Sequence, residues 1–341
     1  MLFRSAMTIL TFKYRVKDKT AQKRLIRHAR AVNFVWNYCC EIQRKAESKW
    51  KSGVKCKWPS HFDLVKLTTG CAKELNLHSD TVNKVCAQFV ISRDAKRKCP
   101  KFRANYGSKA ALGFIPYIPR AIRIEDDRIK YLGKYYRFWK SRPMQGEFKA
   151  GCFVQDSRGR WYVTFQCEVP DDMPTGNGKI GIDLGLKTLA TCSDGKKIPA
   201  LQHYRKYEDK LAVAQRAGNK KRVKAIHAKI ANARRHHLHE QSTALVKNNN
   251  LIVVGNVNAA QLAKTKMAKS VLDAGWSMFR NMLAYKARRH RACFVIADER
   301  FTSQTCSCCG AIPSSSPKGM GALGVRHWEC CDCGSIHDRD V

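Results

Sequence analysis

The chain has 341 residues, which is enough for two or three domains and a sizeable core. It carries 64 lysines and arginines against 27 aspartates and glutamates, a formal net charge of +37. Such a charge repels itself unless a polyanion is present, so it argues against an ordinary small-molecule enzyme and favours a nucleic-acid partner.

The sequence also indicates the compartment. No apolar leader follows Met1, and no run approaches the roughly 18 apolar residues of a membrane span. Six of the 16 cysteines fall between Cys306 and Cys333, and the others are scattered. We therefore expect a cytoplasmic, reducing location without membrane association, in which cysteines serve as thiols or metal ligands.

The first hundred residues predict one strand and several helices. Apolar and basic residues alternate around Phe12 and Val16, as in a strand. The helix that follows has an apolar stripe formed by Leu25, Ala29, Val32 and Trp36. Ser60 and Asp63 have the spacing of a capping box, and another helix is predicted to begin at Ser79 or Asp80. These short helices before the basic run 93–103 fit either a helix-turn-helix reader or an ordinary bundle.

From about residue 110 to 170 the apolar period changes to two, and 161–169 is the clearest predicted strand. Upstream, aromatic residues are interleaved with lysines and arginines. This group consists of Tyr131, Tyr135, Tyr136, Phe138 and Trp139. Such a pattern suits rings that stack on bases and equally suits half-buried strands, so both interpretations stay open.

A break rich in Pro and Gly at 171–178 predicts a domain boundary, and the elements after it predict an α/β domain. A long helix is predicted over 204–248. Its densest basic residues, predicted to face nucleic acid, are Lys220, Lys221, Arg222, Lys224, Arg234 and Arg235. The alternative is an ordinary solvated charged face.

Asp183 ends a β-rich run and is followed by a second strand and the turn 193–195. A carboxylate on the first strand, beside a hairpin, is how the metal site of RNase H-like nucleases begins. Two Mg²⁺ ions about 4 Å apart clamp the oxygens of a phosphodiester displacement, and Mg²⁺ prefers oxygen ligands. We therefore expect two further acids to converge on Asp183 from later elements.

The last forty residues contain two Cys-x-x-Cys pairs separated by roughly twenty residues, the ligand spacing of a zinc ribbon. The predicted zinc ligands are Cys306, Cys309, Cys330 and Cys333. Cys308 and Cys331 are excluded because using them breaks a two-residue spacing. His327 is a weaker candidate ligand, and a redox dithiol is the alternative to zinc.

Several motifs together resemble the TnpB proteins of bacterial insertion sequences, relatives of the compact type V CRISPR effectors. They are Gly-Ile-Asp-Leu-Gly-Leu-Lys at 181–187, the segment 259–276, Thr-Ser-Gln-Thr-Cys-Ser-x-Cys-Gly at 302–310, and Asp-Arg-Asp-Val at 338–341. The resemblance is strong over 178–341 and weaker over 1–175. It implies an RNA-guided DNA endonuclease encoded by a transposon.

The resemblance also implies a mixed α/β and β multidomain fold. Residues 1–19 and 104–172 would form a wedge-like β-barrel with a helical recognition insertion at 20–103. Residues 178–305 and 334–341 would form an RNase H-like (RuvC) nuclease domain, into which a zinc ribbon is inserted at 306–333. Asp183 matches the first catalytic aspartate of the family and Asp340 the third, with Asp338 as the neighbouring alternative.

The second acid departs from the family pattern. Members of the family commonly carry Glu at the end of the fourth strand, whereas the strand 251–254 ends here in Gly255 and Asn256. The next strand, 293–297, should lie near the previous one in this fold, and it ends in Asp298 and Glu299. We predict that Glu299 replaces the missing glutamate and that Asp183, Glu299 and Asp340 bind catalytic Mg²⁺.

Three functional hypotheses follow. The first is a Mg²⁺-dependent endonuclease that uses a guide RNA from the transposon end to cut double-stranded DNA. The second is a nuclease-inactive, RNA-guided repressor, and the third is a transposase that works without RNA. Both a monomer and a homodimer remain open.

Overall fold

The computed structural model describes residues 7–171, 173–298, 304–318, 322, 324–325 and 327–338. The chain divides into two compact units: the N-terminal unit, Ile9–Val169, and the C-terminal unit, Pro170–Val341, to which Met1–Thr8 also belongs. No helix in the described part of the chain is long and apolar enough to cross a membrane. The fold is a mixed α/β multidomain fold.

The N-terminal unit combines two antiparallel sheets with a group of helices. Its elements, of which the first and last strands extend slightly beyond the unit, are β1 (Met7–Arg15), α1 (Lys19–Lys51), α2 (His61–Leu67), α3 (Cys71–Glu74), α4 (Ser79–Lys96), β2 (Phe114–Tyr117), β3 (Ile122–Glu125), β4 (Arg128–Tyr131), β5 (Lys134–Arg137), β6 (Glu147–Gln155) and β7 (Trp161–Pro170). One sheet has the order β1-β7-β6-β2 and the other the order β3-β4-β5. Side chains from both sheets and from α1, α2 and α4 share one core.

Several local predictions for this unit are confirmed. Phe12 and Val16 are buried, and so is the whole predicted stripe of α1. Ser60 caps α2, because its hydroxyl accepts a hydrogen bond from the Asp63 amide at 3.2 Å while the Asp63 carboxylate accepts one from the Ser60 amide at 2.8 Å. Because α3 lies between α2 and α4, these two helices are not joined by the short turn of a helix-turn-helix.

The C-terminal unit contains a five-stranded sheet with helices and a small two-stranded sheet. Its elements are β8 (Gly178–Leu184), β9 (Thr188–Cys192), β10 (Lys197–Pro199), α5 (Glu208–Arg216), α6 (Lys220–Asn248), β11 (Asn249–Gly255), α7 (Ala259–Leu262), α8 (Ala268–Ala274), α9 (Trp276–Arg289), β12 (Cys293–Ala297), β13 (His327–Glu329) and β14 (Ile336–Asp338). The large sheet has the order β10-β9-β8-β11-β12. Its core packs Ile182 and Val254 of the strands with Leu238 of α6 and Phe279 of α9.

The prediction of one long helix over 204–248 is wrong. The structure has two helices, α5 and α6, separated by a turn at Ala217–Asn219 and preceded by a short 3₁₀ turn at Arg205–Tyr207. Gly218 adopts a φ of +61°, a left-handed conformation that ends α5. Asn219 then starts α6, because its side-chain oxygen accepts a hydrogen bond from the Arg222 amide at 3.0 Å.

Candidate functional site: a strand edge with Asp183 and a four-cysteine cluster

Asp183 lies near the carboxyl end of β8, the central strand of the five-stranded sheet, and its side chain is exposed. β11 runs parallel to β8 with Val254 opposite Ile182, and β12 runs parallel to β11 with Ala297 opposite Gly255. Because parallel strands end at the same edge of a sheet, the carboxyl ends of these three strands lie side by side. Two acids, Asp183 and the Asp298 that follows β12, are therefore on one edge.

The end of β11 offers no carboxylate. Gly255 is its last residue, and the amide of Asn256 donates a hydrogen bond to the Ala297 carbonyl of β12 at 2.9 Å. β12 is thus the immediate parallel neighbour of β11, as the sequence analysis expected of these two strands. Glu299, the predicted second acid, is outside the described residues and remains a prediction.

Of the two candidates for the third acid, the structure describes one, Asp338. Asp338 ends β14, and one of its carboxylate oxygens lies 3.7 Å from Nζ of Lys197 in β10. Asp340 is outside the described residues, so its role as the third acid stays a prediction. Among the described residues, the only group of three or more His, Cys, Asp or Glu side chains close enough to hold a metal is the cysteine cluster considered below.

Helix α9 supports this strand edge from two positions that the sequence analysis did not single out individually. Trp276 Nε1 donates a hydrogen bond to the carbonyl of Gly185 at 3.2 Å, directly after the end of β8. One turn further along, Arg280 Nη1 donates to Oδ1 of Asn256 at 3.2 Å, directly after β11. Because the two contacts are four residues apart, one face of α9 holds both strand ends. The signal for Trp276 was its position at the end of the segment 259–276.

The four predicted zinc ligands come together. The sulfurs of Cys306, Cys309, Cys330 and Cys333 all lie within 4.8 Å of one another. The sulfurs of Cys306 and Cys333 are 3.5 Å apart, and those of Cys309 and Cys330 are 3.8 Å apart. Four sulfurs about 2.3 Å from one zinc ion lie about 3.8 Å from each other at the corners of a tetrahedron. The cluster therefore fits a structural zinc site.

Two similar turns build this cluster. In one, the Gly310 amide donates to the Cys306 carbonyl at 2.9 Å, and in the other the Gly334 amide donates to the Cys330 carbonyl at 2.8 Å. Both glycines adopt left-handed conformations, with φ of +75° and +70°. A residue with a Cβ is strained in this conformation, so glycine suits the tight turn after each Cys-x-x-Cys pair.

The surroundings of the cluster shift the pKa values of its thiols in both directions. The hydroxyl of Ser335 lies 3.3 Å from the Cys333 sulfur, and it lowers the pKa of that thiol to about 6, whereas the pKa of Cys309 is raised to about 12 and burial raises the pKa of Cys330. Metal ligands must be deprotonated, so the contact with Ser335 favours metal binding at Cys333, and binding by the whole cluster must displace protons from the other thiols. His337 Nε2 lies 3.1 Å from the Cys306 sulfur, a contact that the spacing of the cysteines did not predict. His327, the weaker sequence candidate, is not in the cluster.

The basic residues predicted to face nucleic acid lie on α6 and differ in their surroundings. Five of them are exposed: Lys220, Lys221, Arg222, Lys224 and Arg235. Arg234 instead contacts Asp273 of α8 at 2.8 Å, and the side chains of this pair are 20% and 8% exposed. The other Asp273 oxygen accepts from the Tyr204 amide at 2.8 Å. Arg234 therefore joins α6 to α8.

The interleaved aromatic residues of the N-terminal unit separate into two groups. Tyr131, Tyr136 and Phe138 are at most 2% exposed and form part of the core, as half-buried strands require. Tyr135 and Trp139 are 39% and 60% exposed. Cations lie over both exposed rings, Arg128 at 4.5 Å and Lys17 at 5.1 Å from the ring centroids. The buried interpretation holds for the first group, and the second remains compatible with stacking.

Comparisons with known proteins agree on one group of relatives. Residues 163–266 match the family model OrfB_IS605, described as "Probable transposase", and residues 276–341 match the model "Cas12f1-like, TNB domain". The chain is 36% identical to a Streptomyces pristinaespiralis protein named "Putative RNA-guided DNA endonuclease", over 97% of this chain and 86% of that protein.

One more distant relative and one solved structure are also similar to this chain. The Escherichia coli (strain K12) protein named "Putative RNA-guided DNA endonuclease InsQ" is 27% identical over 77% of this chain and 69% of that protein. Among solved structures, the fold resembles a chain in the cryo-EM structure of a Cas12f1-sgRNA-target DNA complex, with a TM-score of 0.54 at 10% identity. That similarity covers 87% of this chain and 77% of the other.

Proposed function

Because the chain belongs to the TnpB family of insertion-sequence proteins, we propose that it is an RNA-guided DNA endonuclease with a RuvC-like nuclease site. Its partners are a guide RNA from the transposon end and a double-stranded DNA target that pairs with that guide. The observation that carries this proposal is the exposed carboxylate of Asp183 on the central strand, at an edge where three parallel strands end. Guided effectors recognise the heteroduplex by its shape and backbone, while base pairing reads the sequence.

The proposed nuclease site needs acids from three parts of the chain. Asp183, Glu299 and Asp340 would hold Mg²⁺, which neutralises phosphate charge and lowers the pKa of a bound water. The end of β12 lies two strands from β8, about 10 Å at the usual strand spacing, which supports a site shared between Asp183 and an acid that follows β12. The exposed lysines and arginines of α6 neutralise phosphates of the bound nucleic acid.

The domain assignment belongs to the same proposal. Residues 178–305 and 334–341 form the RuvC-like domain, and 306–333 form a zinc ribbon whose cysteines hold Zn²⁺ as a structural ion. Residues 1–19 and 104–172 form the wedge-like β-barrel, with a helical recognition insertion at 20–103. The order β10-β9-β8-β11-β12, with an antiparallel hairpin followed by parallel strands, supports the RNase H-like assignment.

The first test replaces Asp183. Protein co-expressed with its guide RNA is mixed with matched target DNA in Mg²⁺, and cleavage is followed on a gel. We expect Asp183→Ala to lower the cleavage rate by at least about 10³-fold, because the metal site loses a charged ligand. Asp194→Asn is the matched control, since Asp194 is an exposed acid in the turn after β9. Cleavage by Asp183→Ala at the unchanged rate contradicts the proposal.

A second test identifies the acid that replaces the missing glutamate. Asp298 and Glu299 are adjacent, so Asp298→Asn and Glu299→Gln change the same charge at neighbouring positions. We expect Glu299→Gln to abolish cleavage with guide RNA still bound, and Asp298→Asn to retain it. The opposite result would move the second acid to Asp298. Asp338→Asn and Asp340→Asn make the corresponding pair for the third acid.

One observation favours a second candidate function, an RNA-guided repressor without nuclease activity. Gly255, at the end of β11, stands where the family carries its second acid. A repressor binds matched DNA tightly and in a salt-dependent manner, yet leaves it intact in Mg²⁺. Cleavage of a matched target by the unaltered chain, lost in Asp183→Ala, eliminates this alternative.

A further inference from the structure

An extended segment of the N-terminal unit, residues 100–106, lies along one face of α1. It follows the basic end of α4, and residues 96–103 include five lysines or arginines. The residues of α1 that meet it are separated by one, three or four positions, a spacing that places them on one helical face. They are Arg30, Asn33, Trp36, Asn37, Cys40 and Arg44.

Hydrogen bonds fix this segment to the helix along most of its length. Asn37 makes two of them, donating to the Arg103 carbonyl at 3.0 Å and accepting from the Arg103 amide at 2.7 Å. Trp36 Nε1 donates to the Lys101 carbonyl at 3.1 Å, and Asn33 donates to the side-chain oxygen of Asn105 at 2.9 Å. The segment has no regular structure of its own, so these contacts hold its side chains in place.

Arginines alternate with aromatic rings on this face. Three pairs are present, with the distance from the guanidinium carbon to the ring centroid in parentheses: Arg30 over Tyr106 (4.3 Å), Arg103 over Trp36 (3.5 Å) and Arg44 over Phe102 (4.2 Å). Trp36 is buried, whereas Phe102 and Tyr106 are 43% and 70% exposed. We refer to Arg30, Arg44, Phe102 and Tyr106 as the stacking strip.

The chemistry of the strip matches a nucleotide. A guanidinium group carries its N–H donors in its own plane, so contact through its face leaves donors available for phosphate oxygens. An exposed ring offers a π-face to a base, but only to an unpaired base, because paired bases already stack within a duplex. Such rings cost free energy when they face water, which a stacked base relieves.

We propose that the stacking strip binds unpaired nucleotides of the guide RNA. The choice of RNA rests on the proposed function, in which the guide RNA supplies loops and ends with unpaired bases, whereas the target strand of the DNA is paired with that guide. The ligand is thus a single-stranded stretch of RNA, with bases on the two exposed rings and phosphates on the two arginines.

The first experiment measures RNA affinity by fluorescence anisotropy, with full-length protein freed of bound RNA in a buffer without added Mg²⁺. The probes are an unstructured 20-nucleotide RNA and an RNA duplex of the same length. We expect the double variant Phe102→Leu and Tyr106→Leu to bind the single strand at least about fivefold more weakly and the duplex almost unchanged. Equal losses for both probes, or no loss for the single strand, overturn the proposal.

Two controls separate stacking from charge and from folding. Phe34 lies on α1 outside the strip, and its side chain is 59% exposed. Phe34→Leu therefore removes an exposed ring that does not belong to the strip and is expected to leave binding unchanged. Arg30→Gln with Arg44→Gln is expected to lower the slope of log affinity against log salt by about 1.4, whereas the ring variant leaves that slope unchanged. Thermal unfolding of each variant confirms that the loss does not come from misfolding. A ring variant that lowers the slope contradicts the stacking role.

A second experiment identifies the nucleic acid. The complex of protein, guide RNA and target DNA is irradiated with ultraviolet light, and cross-linked peptides are identified by mass spectrometry. A ribonucleotide adduct on Phe102 or Tyr106 is expected, and a deoxyribonucleotide adduct there overturns the assignment to RNA. The cross-link does not depend on cleavage of the DNA. If the unaltered chain forms the ribonucleotide adduct but does not cut matched DNA, only the nuclease proposal fails.

Discussion

The cysteine cluster and the Asp183 edge are two candidate metal centres in one unit, and they are built differently. Each half of the cluster is a local turn in which a glycine follows a Cys-x-x-Cys pair, and four sulfurs lie within 4.8 Å. The edge collects residues from strands far apart in the chain, and helix α9 holds two strand ends through Trp276 and Arg280. The geometry of the cysteine cluster is therefore set by its own two turns. The geometry of the Asp183 edge depends on packing between elements that are far apart in the chain.

The largest expected effect is on the cysteine cluster. Cys309→Ala removes one of four ligands, and structural zinc contributes apparent binding free energies of about 10–16 kcal/mol to small metal-binding domains. We expect loss of bound zinc, measured by metal analysis of the purified protein, and rapid proteolysis within 306–333. The core of the N-terminal unit is expected to remain protected.

The chain contains a matched control for this change. Cys308 is the neighbouring cysteine, is exposed and is not in the cluster. Cys308→Ala is therefore expected to retain one zinc ion per chain and the protease resistance of the original protein. If Cys308→Ala loses the metal and Cys309→Ala keeps it, the assignment of ligands is wrong.

The same difference explains what could be predicted from the sequence. The cysteine ligands were identified because the two cysteines of each Cys-x-x-Cys pair lie in one local turn, so their separation in the chain determines their geometry. The capping box of Ser60 and Asp63 was predictable for the same reason. The break between α5 and α6 was missed, because Gly218 stands in a strongly basic, helix-favouring context and a single glycine does not require a turn.

Contacts between distant residues were not predictable. Arg234 and Arg235 look alike in the sequence, and only the fold shows that Arg234 pairs with Asp273, which is 39 residues away. The position of Asp183 near the end of a strand, beside a hairpin, was predictable from the sequence, and its role as the first acid stays a prediction. That β12 lies beside β11 was expected from the fold that the resemblance implies, since a strand pattern by itself does not specify sheet pairing. The alternation of aromatic and basic residues fitted both half-buried strands and rings that stack on bases. Only the burial of each ring in the structure separates the core residues from the exposed ones.

The next largest effect tests the packing on which the edge depends. Lys286 of α9 donates hydrogen bonds of 2.7 Å to the His239 carbonyl and to the hydroxyls of Ser242 and Thr243 on α6. Burial lowers the pKa of Lys286 to about 8. The unfolded chain therefore binds more protons than the folded one between about pH 8 and 10.5, so this group makes stability rise with pH in that window.

We expect Lys286→Met to remove this rise, which is worth at most about 3 kcal/mol, and to leave little pH dependence from this position. Urea unfolding at pH 7.5 and pH 9.5 measures the difference. Lys247→Met, which changes an exposed lysine of α6, is the control and is expected to preserve the rise. A rise that persists unchanged in Lys286→Met contradicts the prediction.

Arg234 and Arg235 test whether neighbouring basic residues serve different purposes. Arg234→Gln leaves the nearly buried Asp273 without its guanidinium partner, and we expect it to lower the free energy of unfolding by about 1–3 kcal/mol. Arg235→Gln is expected to keep stability while lowering the salt slope of nucleic-acid binding by about 0.7–0.9. Urea unfolding and a salt titration of binding measure both properties in both variants. If Arg234→Gln keeps the free energy of unfolding of the unaltered protein, as Arg235→Gln is expected to do, the ion pair with Asp273 does not stabilise the fold.

The smallest expected change concerns the hydrogen bond from Trp276 to Gly185. Trp276→Phe keeps an aromatic ring in the core but removes the N–H donor, so the carbonyl two residues after Asp183 loses its partner. We expect the free energy of unfolding to fall by about 1 kcal/mol, with bound zinc unchanged, since the cysteine cluster is built from its own turns. If the strand end positions Asp183, cleavage falls further than stability accounts for at a temperature where the protein is fully folded. Cleavage that remains at the original rate under those conditions shows that the edge tolerates the loss, and that α9 supports the sheet without positioning the acid.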